Sequence, residues 1–253
     1  MSVGLLAAAW VPGCGITGNP TSGLLAFAGT GCDGASAKEI NAADLVILDW
    51  TGGVNQIYPG RELAGVDLAR FPTADGSSLG DHEDQFKKDV LDAISRIYCA
   101  KPEVSLRVIN GEDSDGNPGV TIVHITQERP PNRGTDVGEG EYDPCNLQTD
   151  NAAILYGDRL LSLSDAYPYD EWVNMFANIC AHEIGHTLGF GHVARSEYSN
   201  TGRSIYVELM LDGLTMPELR REHRFLVDLS SCPSRQANAG KIVASGVREA
   251  PSP

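Results

Sequence analysis

Three of the chain's six histidines, His182, His186 and His192, fall within eleven residues, and a glutamate, Glu183, stands beside the first. Imidazole is a common ligand for zinc, and three neutral imidazoles leave the fourth position of a tetrahedral ion open. An open position marks a catalytic site, where water is acidified, whereas a structural site closes with a fourth protein ligand, often cysteine. A carboxylate beside such a site can take the proton that water gives up. Metal-assisted hydrolysis is the chemistry these residues can perform together.

The element that must position them is a helix. Pro168 and Asp170 supply a start signal, and residues 171–188 hold no proline and one interior glycine, which predicts one helix. Four residues of helix bring His182 and His186 one turn apart on one side, so both can reach one ion. Glu183 projects roughly a quarter-turn away, poorly aligned as a ligand but placed to serve as base. Trp172, Met175 and Ile179 share the histidine side, while Val173, Phe176, Cys180 and Ile184 cover the other, leaving Asn174, Asn178 and Gly185 as a polar or small strip. Such a helix is mostly buried. Gly189 follows it, where a positive φ turns the chain back and brings His192 to the same ion.

Upstream, residues 43–50 (ADLVILDW) read as a buried strand, residues 82–98 as an amphipathic helix, and residues 104–110, 119–127 and 151–157 as three more strands, the last continued by residues 159–163 (RLLSL). The turn formers between the second and third strands read as a hairpin turn. Helices interleaved with a small mixed sheet give an α/β or α+β class. His82 is expected at the surface of a helix start, His124 in a strand, and His223 on an exposed helix.

His182, Glu183, His186, Gly189 and His192 match HExxHxxGxxH, which resembles the zinc-binding motif of metzincin metallopeptidases. That family also places a methionine turn beneath the metal. Met210, eighteen residues after His192 and followed by Asp-Gly, is the chosen counterpart, since Met216 and Pro217 suit a helix start better. The resemblance implies a metzincin-like zincin catalytic domain: a small twisted mixed sheet, a backing helix and a central active-site helix. It implies one catalytic Zn2+, held by His182, His186 and His192, with Glu183 as general base, Gly189 and Met210 as structural support, and a protein or peptide as substrate. The motif spans about thirty residues, and no tyrosine stands two residues after Met210 as in the astacin-like and serralysin-like members, so no subfamily or substrate preference carries over.

The formal net charge of −15 and a total of only five lysines disfavour a nucleic-acid partner. Calcium has weak sequence support: residues 113–117 (DSDGN) lack the later glycine and distal glutamate of an EF-hand, and Asp136, Glu139, Glu141 and Asp143 form an acidic loop whose default state is solvated. Six cysteines without a CxxC pair fit an oxidising compartment with one or two disulfides, Cys145 with Cys180 being one pairing suggested by position, or else buried thiols. The apolar run 3–11 ends in Val-Pro-Gly-Cys, resembling the lipobox of a bacterial lipoprotein signal, with Cys14 acylated and attached to a membrane; an ordinary export signal is the other reading. The expected organisation is an export signal over 1–14, a flexible linker over 15–37, a catalytic domain over 38–232 and a disordered tail over 233–253. A secreted or envelope-anchored monomeric peptidase is the favoured expectation, and a non-catalytic zinc-containing surface adhesion module the alternative.

Overall fold

The apolar run after Ala43 becomes the first strand of a sheet whose order decides where the histidine helix lies. The computed structural model describes residues 44–54, 57–99, 104, 106–111, 120–130, 136–143, 150–163, 165–196 and 206–226. The expected signal with Cys14, the linker and the tail lie outside the described residues, as do Cys32, Cys145 and Cys232.

In chain order come β1 (Asp44–Asp49), β2 (Gly52–Val54), β3 (Glu62–Ala64), α1 (Glu83–Cys99), β4 (Leu106–Gly111), β5 (Val120–Thr126), β6 (Gly138–Gly140) and β7 (Asn151–Tyr156). They are followed by α2 (Gly157–Leu163), α3 (Tyr169–Thr187), β8 (Val207–Glu208), α4 (Met216–Leu219) and β9 (His223–Arg224). Short 3-10 turns at Leu68–Arg70 and Leu79–His82 lead into α1. The main sheet has the order β4-β1-β5-β7-β6, with the first four strands parallel and β6 antiparallel at the edge. This is a mixed α/β architecture, as the element order predicts. No helix among the described residues is long and apolar enough to cross a membrane.

Strand alternation sorts the sheet's two faces. Val46, Leu48, Val123, Ile125, Ala153 and Leu155 turn to one face, where α1 and α3 cover them; Phe86 of α1 and Phe176 of α3 meet with ring centroids 5.1 Å apart, beside Trp50 and Phe71. Ile154 and Tyr156 turn to the other face and pack against Leu63, Ile57 and Tyr58 around β3. That second layer explains why β7 is buried on both sides. On the sheet, His124 is buried and its Nδ1 lies 3.2 Å from Asp49, its register partner. Burial is the largest influence on the Asp49 carboxyl and pushes it up, but the bonds from His124 and Thr51 together hold it below the usual carboxylate range.

Three expectations need correction. β4 and β5 do not form a hairpin: each pairs in parallel with β1, which lies between them, and Leu45 faces both Arg107 and Val120. Turn-forming residues announce a reversal of direction but do not say what lies between the strands, and residues 112–119 are outside the described part. The stretch after Gly157 is the helix α2, not strand, because Leu160 reaches the core and the hydroxyl of Ser162 donates to the carbonyl of Arg159 three residues back. His223 is not on an exposed helix. It is fully buried on β9, paired with Val207. The helix α4 stops at Leu219 because the side-chain amides of Asn174 and Asn178 on α3 donate to the carbonyls of Leu219, Arg220 and Arg221 at 2.7–3.1 Å.

Candidate metal centre

Helix α3 starts where Pro168 places Asp170 and Glu171 in its first turn and ends at Thr187, with Leu188 as its cap. Gly189 then takes φ 88°, the left-handed conformation that glycine adopts without a steric penalty. Its N–H donates to the carbonyl of His186 at 2.9 Å, and that of Phe190 to Gly185 at 2.9 Å, which closes the helix and reverses the chain.

The reversal delivers His192. Its Nε2 lies 3.2 Å from Nε2 of His182 and 3.1 Å from Nε2 of His186. The Nδ1 of His182 lies 2.7 Å from the carbonyl oxygen of Leu209, and the Nδ1 of His186 lies 2.9 Å from that of Phe190. A carbonyl only accepts, so each Nδ1 carries the proton and each Nε2 presents a lone pair to the cluster. The lone pairs of His182 and His186 thus converge on the Nε2 of His192, as they would on a shared cation. Burial resists the proton: it is the largest influence on both residues and pulls His182 down to about 3 and His186 below the usual imidazole value. The three nitrogens can therefore hold a metal ion together. His182 is buried, His186 half-buried and His192 exposed, so the centre opens on the His192 side.

The segment beneath is fixed to the same residues. The N–H of Val193 donates to the carbonyl of Met210 at 2.7 Å, and that of Asp212 to the carbonyl of Val193 at 3.2 Å. Met210 is fully buried, and a Cβ placed on Gly185 would stand 2.5 Å from its Sδ. Glu208 shapes this turn: one carboxylate oxygen accepts from the N–H of Met210 at 3.1 Å and the other from Leu226 at 2.6 Å. Sequence reading identified Met210 but missed Gly185 and Glu208, whose roles depend on a fold-back that their spacing does not announce.

Glu183 is buried under the edge strand. A Cβ on Gly138 would lie 2.8 Å from its Oε1, and one on Gly140 2.7 Å from its backbone oxygen, so two glycines let β6 cross α3 at this point. Burial first, then the charges of Glu139 and Asp136, push the Glu183 carboxyl up to about 8. Glu139 itself turns to the opposite face, where the hydroxyls of Tyr58 and Tyr156 donate to its carboxylate at 2.6 and 3.0 Å. Bonds to β7 run through the carbonyl of Val137 and the N–H of Glu141. By alternation the peptide groups of Gly138 and Gly140 point away from the sheet, and among the described residues β6 pairs with β7 alone.

His182, His186 and His192 thus come together, with Gly189 at the chain reversal between them, Met210 against Gly185, and the Glu183 carboxyl group against Gly138 of the edge strand. Asp136, Glu139, Glu141 and Asp143 do not form a common cation site: Glu139 is held by the tyrosines, Glu141 accepts from the N–H of Ala152, and Asp143 accepts from Asn151. The proposed Cys145–Cys180 pairing is not present, since Cys180 is a free, fully buried thiol whose burial pushes it up. Compared with models of protein families, with curated proteins and with solved structures, the chain matches none.

Proposed function

We propose that the chain is a zinc-dependent endopeptidase of metzincin type, with His182, His186 and His192 as metal ligands and Glu183 as general base. The observation that carries this reading is the convergence of three imidazole nitrogens, with separations of 3.1 and 3.2 Å; Glu183, next to His182 in the chain, is buried. Nitrogen ligands of a tetrahedral zinc ion, with Zn–N bonds of about 2.0–2.1 Å, stand about 3.3 Å from one another. A set made only of imidazoles suits zinc better than calcium or magnesium, which take oxygen ligands. The match of His182, Glu183, His186, Gly189 and His192 to HExxHxxGxxH, with Met210 under the centre, supports the family assignment.

Zinc, when bound, supplies Lewis acidity to a carbonyl oxygen and acidifies water. The carbonyls of Leu209 and Phe190 hold the imidazoles of His182 and His186 in one tautomer and one orientation. Glu183 has its proton affinity raised by burial, and a cation held by the three histidines would lower that affinity again, toward the working range of a base. As a carboxylate it takes the proton of the attacking water on one oxygen and returns it to the nitrogen of the leaving amine. The outward peptide groups of Gly138 and Gly140 receive an extended substrate backbone as an added strand, which demands little of the substrate's side chains.

The apolar run before Cys14 supports action outside the cytoplasm, by a secreted or envelope-anchored monomer on protein or peptide substrates. The test is casein or peptide hydrolysis by zinc-loaded protein against Glu183→Ala. Loss of turnover with zinc retained is expected. Equal activity in the two would remove Glu183 from the mechanism, and bound zinc without turnover in either would favour a non-catalytic binding module.

A further inference from the structure

Among the described residues the large apolar side chain left exposed is Tyr142, with half of its surface open to solvent. Its backbone is nevertheless fixed on both sides. Glu141 pairs with Ala152 through its N–H at 3.0 Å and through its carboxylate at 2.8 Å. The N–H of Asp143 donates to the carbonyl of His186 at 3.2 Å, and the Asp143 carboxylate accepts from Asn151 at 3.3 Å. Following the alternation of β6, residue 142 turns to the same side as Gly138 and Gly140, toward α3. Gly138 and Gly140 have no side chains to place over the helix, so Tyr142 supplies the first one on that side. The ring stands edge-on to His186, with centroids 6.3 Å apart at 79°, and the phenol oxygen lies 4.0 Å from where a Gly191 Cβ would be. A pre-positioned aromatic ring at the mouth of a metal centre offers apolar area at little entropic cost.

Resting on the endopeptidase reading above, we propose that Tyr142 is a specificity-determining contact for the substrate, its ring receiving an apolar or aromatic side chain. Strand direction says which side of the scissile bond is read. A substrate added antiparallel to β6 places its N-terminal part over the C-terminal end of that strand, where Tyr142 stands. The residue selected therefore lies on the N-terminal side of the bond, within two residues of it.

The test uses one zinc-loaded full-length chain and a host peptide carrying Phe, Leu, Ala or Asp at each position around its cleavage site, with cleavage mapped by mass spectrometry. Wild type is expected to prefer Phe or Leu to Ala on the N-terminal side by about tenfold in kcat/KM, the scale of a good aromatic contact. Tyr142→Ala should bring that ratio near one through KM, and Tyr142→Phe should restore it, a pattern that a general loss of structure would not produce. A preference that survives Tyr142→Ala, or that lies only on the C-terminal side, overturns the assignment while leaving the peptidase reading intact. If wild type cleaves none of the peptides, the peptidase reading fails and titration calorimetry of the same peptides with zinc-loaded Glu183→Gln decides the contact: tighter binding of the Phe peptide that vanishes in Glu183→Gln/Tyr142→Ala supports it, and equal binding overturns it.

Discussion

Gly185 and Met210 meet so closely that a Cβ on the glycine would lie 2.5 Å from the methionine Sδ and 3.1 Å from its Cε. The residue just before the second histidine of the helix is thereby matched to the side chain that lines the floor of the site. Gly185→Val should force Met210 aside and shift His186 with it, at a cost of about 1–3 kcal/mol in stability from overpacking. Met210→Leu keeps the volume and should cost less than about 1.5 kcal/mol, while Met210→Ala opens a cavity and should cost about 2–5 kcal/mol. Calorimetric melting and zinc affinity by chelator competition check the order.

The edge strand and the Glu183 carboxyl group share one gap. Because a Cβ on Gly138 would stand 2.8 Å from both Oε1 of Glu183 and Cγ2 of Ile179, Gly138→Ala should displace either the carboxyl group or the strand. Activity should fall by about a hundredfold or more, as expected when a catalytic group is misplaced by about an ångström. Zinc stoichiometry should remain at one per chain. Parallel measurement of kcat/KM and of metal content separates this outcome from simple loss of the ion.

Glu139 anchors the same strand from its other face, through Tyr58 and Tyr156. Glu139→Ala removes an acceptor from two phenols and a negative charge that raises Glu183. If substrate adds to the strand edge as proposed, long peptides should show a higher KM than they do with wild type, and short amide substrates should show little change in KM. Glu139→Gln keeps an acceptor oxygen and should recover most of the binding. Steady-state kinetics on the two substrate lengths provides the readout.

Metal uptake should release a proton from Glu183. Burial, then the charges of Glu139 and Asp136, push the Glu183 carboxyl up to about 8, which favours its protonated form at pH 7, and an arriving dication would lower its affinity for the proton. Burial already keeps His182 and His186 neutral at that pH. Zinc titration calorimetry in buffers of different ionisation enthalpy should show close to one proton more released by wild type than by Glu183→Gln. Equal release by the two would contradict the raised carboxyl.

Stability should fall with acid in a window set in part by His223. Burial is the largest influence on this residue and lowers it from 6.5 to about 4. Between those values the unfolded chain binds more protons than the folded one, so stability is full above about 6.5, declines as pH falls toward 4 and levels off below. The share belonging to His223 is at most about 3 kcal/mol by that shift. Urea unfolding at pH 7.5 and 4.5 should show a smaller loss in His223→Gln than in wild type.

The features legible in sequence were those that depend on local pitch. Helical repeat brings His182 to His186, and Gly189, with φ 88°, accounts for the longer step to His192. The strands around β1 were readable as apolar runs, but their neighbours were not: that β1 separates β4 from β5 is a matter of pairing between distant segments. His223 looked exposed because its flanking charges suggest a solvated helix, yet Asn174 and Asn178 claim the carbonyls there and fold the segment back. Glu208, Glu139 and Tyr142 carry no spacing signal at all. Each acquires its place only when β6 or the turn at Met210 is laid over α3.

The account is tested most directly by stripping the protein with a chelator and returning zinc in measured fractions of an equivalent while following peptide hydrolysis. Activity should be absent in the stripped chain, rise in proportion to zinc and level off at one ion per chain, with no rise in His192→Ala. Turnover that survives stripping, or a chain that binds one zinc and cleaves nothing, would contradict a catalytic zinc centre at His182, His186 and His192.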